Sequence, residues 1–123
     1  MPKNLYLFLL ILVIILLTFL SLKESISFGP KFSYIDKIFH ASAYIVLTYL
    51  CSRYLILSRP SFSITKILVI VAIFLTFYGI VIEVLQSVVT ENRVGEFEDV
   101  LANISGIVLG SFLFRYLNSR ILI

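Results

Sequence analysis

The sequence predicts an all-α membrane protein, a four-transmembrane-helix bundle with its N- and C-termini in the cytoplasm. Three observations predict it. Of the 123 residues, 60% are hydrophobic and only 14% charged, whereas a soluble domain would be nearer half apolar and one quarter charged. Residues 4–22, 38–52, 67–90 and 100–114 form four runs in which Glu83 is the sole charge. The bases are also shared unequally between the segments that join these runs, which sets the orientation.

The first run, residues 4–22, matches the roughly 20 apolar residues that cross a bilayer and follows Lys3. Its apolar core exceeds the 7–15 residues usual in a signal peptide, and "SLKESISFG" offers no small-x-small cleavage site, so it is read as a retained span. The second and fourth runs have only 15 residues between charges. Each reaches spanning length by drawing its charged ends into the membrane boundary. Arg53 and Arg115 have stems long enough to snorkel. Asp36, Lys37 and Asp99 stand at the opposite ends, and their short carboxylates are expected to face other helices or water. The spans are therefore placed at about 36–57, 65–90 and 98–117, after the first at 4–22, within one domain covering residues 1–123. Pro60 breaks the helix in the middle loop "SRYLILSRPSFSITK". Gly29 and Pro30 form a turn in the first outer loop, where Phe28, Phe32 and Tyr34 suit a membrane interface. The single Cys51 excludes an internal disulfide and is read as a small apolar core residue.

With both termini inside, the cytoplasmic face collects Lys3, Arg53, Arg59, Lys66, Arg115 and Arg120 and no acid. The outer face collects four bases, Lys23, Lys31, Lys37 and Arg93, together with all the acids except Glu83. Six bases against four follow the positive-inside rule and place the chain as a multi-pass protein of the cytoplasmic (inner) membrane. The basic middle loop is explained by attraction to anionic lipid. The partners this implies are the bilayer, an envelope lipid or glycolipid, or another membrane protein, and no nucleic acid.

The polar residues inside the spans fall into stripes. Asp36, His40 and Tyr44 are spaced i, i+4, i+8; Glu83 and Gln86 are i, i+3; Asp99, Asn103, Gly106 and Gly110 are i, i+4, i+7, i+11. Each set shares one helix face, and all three lie toward the same, outer end of their spans. An ionisable group within a membrane is costly and points to function, and three such stripes avoid lipid only by facing each other. A polar cleft opening outward is expected, lined by Asp36, Lys37, His40, Tyr44, Glu83, Gln86, Arg93, Asp99 and Asn103. Gly106 and Gly110 form a GxxxG surface for close helix packing. Structural readings stand beside these: Asp36 and Asp99 suit helix N-termini, and Gln86 and Asn103 can be interhelical hydrogen-bond glue. His40, the only histidine, and Glu83, the only charge in its run, are the two singled out for acid/base chemistry.

The ordered motifs "DKIFHASAY", "EVLQ" and "RVGEFEDVLANISGIVLG" resemble the VanZ-like family of teicoplanin-resistance-associated membrane proteins. Its pattern D-K-x-x-H-x-x-x-Y, E-x-x-Q and R-x-x-x-x-x-D-x-x-x-N-x-x-G-x-x-x-G falls on Asp36, Lys37, His40, Tyr44, Glu83, Gln86, Arg93, Asp99, Asn103, Gly106 and Gly110. The resemblance covers roughly residues 34–114 and departs from the pattern before Arg93, where "TEN" replaces the usual Pro-Gly. It implies a role in the cell envelope, connected with a lipoglycopeptide that acts at the outer face of the cytoplasmic membrane; it supplies neither a reaction nor the identity of a cofactor.

Three function classes follow. One is a binding or accessory protein whose cleft takes a lipid-like or glycolipid ligand, with Lys37, Arg93 and a protonated His40 as donors to an anionic headgroup. The second is an intramembrane enzyme acting on an envelope lipid, with His40 or Glu83 as general acid/base and Asp36, Asp99 or Glu83 available to a divalent metal. The third is a structural subunit of an envelope complex. No nucleophilic Ser or Cys accompanies the histidine, and no dense motif such as H-x-x-x-H assigns metal ligands from spacing.

Overall fold

The computed structural model describes residues 2–22, 32–89 and 97–121, with side chains for all of these except 32–34 and 119–121. Its elements are α1 (Lys3–Leu22), α2 (Phe32–Ser58), α3 (Ile64–Val89) and α4 (Phe97–Ile121). Each apolar run becomes one helix because, in lipid, a backbone has to satisfy its own N–H and C=O groups. Polar punctuation sets the ends. α2 stops at Ser58, two residues before Pro60, and Ser63 Oγ accepts from the Lys66 N–H at 3.1 Å to cap α3. Glu98 and Asp99 occupy the first turn of α4, where negative charge complements the helix macrodipole. All four helices are long and apolar enough to cross a membrane. Large apolar side chains such as Phe8, Phe19, Ile73, Phe77 and Phe112 point outward and are more than half exposed, as a lipid-facing surface requires.

α2 packs against each of the other helices, whereas α1 and α4 do not touch among the described residues. α2 and α4 run parallel, with a register that changes by only three residues between their two ends. Lys37 meets Asp99 and Arg53 meets Asn118, sequence offsets of 62 and 65. Between these pairs the two small-residue turns of α4 seat on α2. A Cβ on Gly106 would run into the Ala41 carbonyl oxygen and stand 2.9 Å from Tyr44 Cβ; one on Gly110 would stand 2.8 Å from Thr48 Cβ. The GxxxG pair therefore does what its spacing predicts: it lets two backbones approach. α3 runs antiparallel to both partners, with Gly79 beside Tyr44 and Asn103 and Thr65 beside Arg115.

This up-down arrangement sorts polar groups to two ends. At the basic end, Arg53 reaches to two neighbouring helices. It is half-buried, its Nε donates to Tyr6 Oη at 3.2 Å, and its Nη1 donates to Asn118 Oδ1 at 3.2 Å. The guanidinium also lies 5.3 Å from the Tyr6 ring centroid, within cation–π range. With acceptors on α1 and α4, one arginine on α2 fastens three helices. Arg115 donates to Thr65 Oγ1 at 3.0 Å. Cys51 is buried in the apolar core. α1 contributes a stripe of Tyr6, Leu10, Leu17 and Ser21, and Thr18 shares a 2.6 Å hydroxyl–hydroxyl bond with Tyr78 of α3.

Candidate functional site

The site begins at a notch. Gly79 removes a side chain from α3 where three helices meet, and the position of its missing Cβ lies 2.9 Å from Asn103 Nδ2 and 3.1 Å from Tyr44 Oη. A phenol from α2 and an amide from α4 thus reach the backbone of α3. One helical turn nearer the acidic end, each helix supplies a titratable residue: His40 is four before Tyr44, Asp99 four before Asn103, Glu83 four after Gly79. With α2 and α4 parallel and α3 antiparallel, those steps all run the same way. Each titratable group therefore stands about 6 Å nearer the acidic end than its own helix's contribution to the notch, from a rise of 1.5 Å per residue. All three are buried, at 2%, 3% and 6% exposure for His40, Asp99 and Glu83. Asp36 and Lys37 form the next, partly exposed turn.

Charge is arranged across helices. Lys37 Nζ donates to Asp99 Oδ1 at 2.7 Å, joining α2 to α4. His40 Nε2 lies 3.7 Å from Asp36 Oδ1, one turn away on the same helix, beyond hydrogen-bond length and close enough to ion-pair with a protonated ring. Asp36, His40 and Asp99 each offer a ligand atom, and those atoms lie within 4.8 Å of one another. His40 Nδ1 and Asn103 Oδ1 are buried and make no hydrogen bond among the described residues. Buried polar atoms in that condition are uncommon and call for a partner.

The residues expected from the sequence divide accordingly. Asp36, Lys37, His40 and Asp99 cluster directly, Tyr44 and Asn103 form the floor with Gly79, and Glu83 is buried one turn from Gly79 on α3. Gln86 sits a turn further on, where its Nε2 donates to the Ser21 carbonyl oxygen at 2.6 Å, so it joins α3 to α1. Lys37, expected to offer its ammonium to an anionic headgroup, gives one of its three N–H donors to Asp99. The carboxylate is held out of water on another helix, and the lysine is the cation within reach. Gly106 and Gly110 pack the α2–α4 seam. Arg93, the Gly29–Pro30 turn and the side chains of Phe28, Phe32 and Tyr34 lie outside the described residues.

Sequence reasoning overlooked Gly79, Ser21 and the Thr18–Tyr78 pair. A signal for Gly79 existed: it is the lone glycine of α3 and stands one turn from Glu83 on the same face. Spacing also assigned no metal ligands, because the three groups that could act as such come from two helices some sixty residues apart.

A model of the VanZ/LLP1 family matches residues 4–118, a stretch that contains every residue of the site. No curated protein and no solved structure matches the chain significantly. With the match spanning nearly the whole chain, from the first helix to the last, the protein belongs to the VanZ/LLP1 family.

Proposed function

We propose that this is a cytoplasmic-membrane protein of the bacterial cell envelope that binds the headgroup of a lipid-like or glycolipid ligand at the outer face. Both termini lie in the cytoplasm in this reading, so the acidic end of the bundle opens outward. The observation that carries it is the burial of three ionisable groups, His40, Glu83 and Asp99, on three helices, each one turn from the point where Tyr44 and Asn103 meet Gly79. Keeping ionisable groups at such a depth costs a few kcal/mol even on the lenient insertion scale, a cost that ligand recognition explains. With Lys37 bound to Asp99, the cluster is rich in acceptors. It suits a headgroup that presents hydroxyl or amino donors, as a sugar does, better than a bare anion. A lipoglycopeptide acting at the same face shares that chemistry, which connects the site to the teicoplanin tolerance associated with the family.

The experiment is extraction in native-lipid nanodiscs followed by mass spectrometry of the retained lipids. The wild type is expected to retain a defined glycolipid, and His40→Ala and Glu83→Gln to lose it while melting at a similar temperature. Retention unchanged in both variants refutes the binding reading. Failure of both variants to accumulate assigns the polar layer to assembly.

A second reading is favoured by one observation, the Asp36 carboxylate beside the sole imidazole. An imidazole beside a carboxylate is an arrangement from which a histidine serves as general acid/base. In that reading the headgroup is turned over, and His40→Ala abolishes product formation without reducing lipid retention.

A further inference from the structure

We propose that Asp36, His40 and Asp99 form a binding site for one divalent transition-metal cation, Mn2+ or Zn2+, at the acidic end of the bundle. The site uses residues of the proposed headgroup site and deepens that reading, since a cation held there offers open positions to a headgroup oxygen. Metal binding is measurable without lipid, so either reading can fail alone.

Geometry comes first. Bonds of about 2.1 Å from Zn2+ to imidazole nitrogen or carboxylate oxygen allow two ligand atoms on one ion to be at most roughly 4.2 Å apart. Asp36 Oδ1 and His40 Nε2, at 3.7 Å, already satisfy that limit. The most distant pair in the set is no more than 4.8 Å apart, so closing onto an ion takes about 0.6 Å at most. The ligands come from a rigid pair, because the α2–α4 seam beneath them is packed backbone to backbone at Gly106.

The second observation is independent of that spacing. His40 is 2% exposed, and its Nδ1 makes no hydrogen bond among the described residues. Asn103, one turn below Asp99 and in register with His40, holds a buried Oδ1 in the same condition. A metal-ligating histidine characteristically donates its other ring N–H to an outer-shell acceptor, and metal on Nε2 sets the tautomer that turns Nδ1 into that donor. The chemistry of the set selects the ion. One imidazole and two carboxylates suit Mn2+ and Zn2+, while Ca2+ takes six to eight oxygens. Asp36 and Asp99 bring two carboxylates to the set, one of them paired with Lys37. Lys37 holds one of the two Asp99 oxygens. Three protein ligands leave coordination positions for water or a headgroup oxygen, as in catalytic zinc sites.

The test uses the full chain, purified in detergent through a histidine-free tag, stripped with chelator and titrated with Mn2+. His40 is the only histidine, so any imidazole nitrogen coupling in the pulsed EPR spectrum of bound Mn2+ comes from it. The expected result is one equivalent of Mn2+ with one such coupling, displaced by Zn2+ and not by Ca2+. Asp36→Asn and Asp99→Asn are each expected to weaken binding by more than the roughly 10–100-fold that loss of an outer-shell partner costs. Asp36 is partly exposed, so its variant keeps the test informative if Asp99→Asn does not fold. The proposal is overturned by the absence of stoichiometric Mn2+, by bound Mn2+ without nitrogen coupling, or by unchanged affinity in Asp36→Asn.

Discussion

Alanine at the three buried glycines separates helix propensity from helix approach. In an unobstructed helix, Gly→Ala gains up to about 1 kcal/mol. At Gly106 the new methyl collides with the Ala41 carbonyl oxygen and comes within 2.9 Å of Tyr44 Cβ. Neither can rotate away, so α4 has to retreat from α2 by about 1 Å, a gap at which packed pairs forfeit a quarter to a half of their attraction. Overpacking of this kind costs about 1–3 kcal/mol and occasionally more. Gly106→Ala is therefore expected to destabilise by about 2 kcal/mol after the propensity gain. At Gly110 the nearest atoms are Thr48 Cβ at 2.8 Å and the Ile45 carbonyl oxygen at 3.0 Å, a milder conflict expected to leave a net loss of about 1 kcal/mol. At Gly79 the obstacles are the Asn103 amide and the Tyr44 hydroxyl, both ends of rotatable side chains. Gly79→Ala is expected to be neutral or slightly stabilising, while it dislodges the floor of the polar site. Unfolding in bicelles titrated with SDS, followed by circular dichroism, gives the order. A Gly79→Ala loss equal to that of Gly106→Ala, or a neutral Gly106→Ala, would refute this account of the seam.

Lys37→Met leaves Asp99 buried without its cation and is expected to lower stability by up to about 3–5 kcal/mol. The double variant with Asp99→Asn recovers most of that loss, and a cycle in the same assay showing no coupling contradicts the ion pair. Tyr6→Phe removes one acceptor from Arg53 and is expected to cost about 1 kcal/mol, with Arg53→Ala costing more because it also releases Asn118; equal effects would show that the Asn118 bond contributes nothing. Reporter fusions at Asn118 and in the loop of residues 23–33 are expected to be active in the cytoplasm and in the periplasm respectively, and the reverse pattern inverts the outward orientation of the site.

Helices and stripes were legible in the sequence because both depend on local order. Charge-free runs give the spans, and the period of Asp36, His40 and Tyr44, or of Asp99, Asn103, Gly106 and Gly110, gives a face. How the faces meet was less legible. That Lys37 answers Asp99, and that Arg53 turns inward to Tyr6 and Asn118, depends on a register between α2 and α4 that no local pattern encodes. Gly79 escaped for a different reason: its contribution is an absent side chain, and an absence in an apolar run carries no polarity signal. Ser21 escaped because its carbonyl oxygen, which any residue would supply, is the acceptor for Gln86.

The packing order of the helices has a consequence for biosynthesis. α2 is the least apolar of the four spans and α4 the next, while α1 and α3 are strongly apolar. Yet α4, which supplies the cation-bearing face of α2 with Asp99 and its seam with Gly106 and Gly110, is the last helix to leave the ribosome. Until then α2 presents His40, Thr48 and Ser52 with α1, and afterwards α3, as the only neighbours able to shelter them from lipid. α1 is thus the first neighbour available to the least apolar span, before α4 follows in the chain.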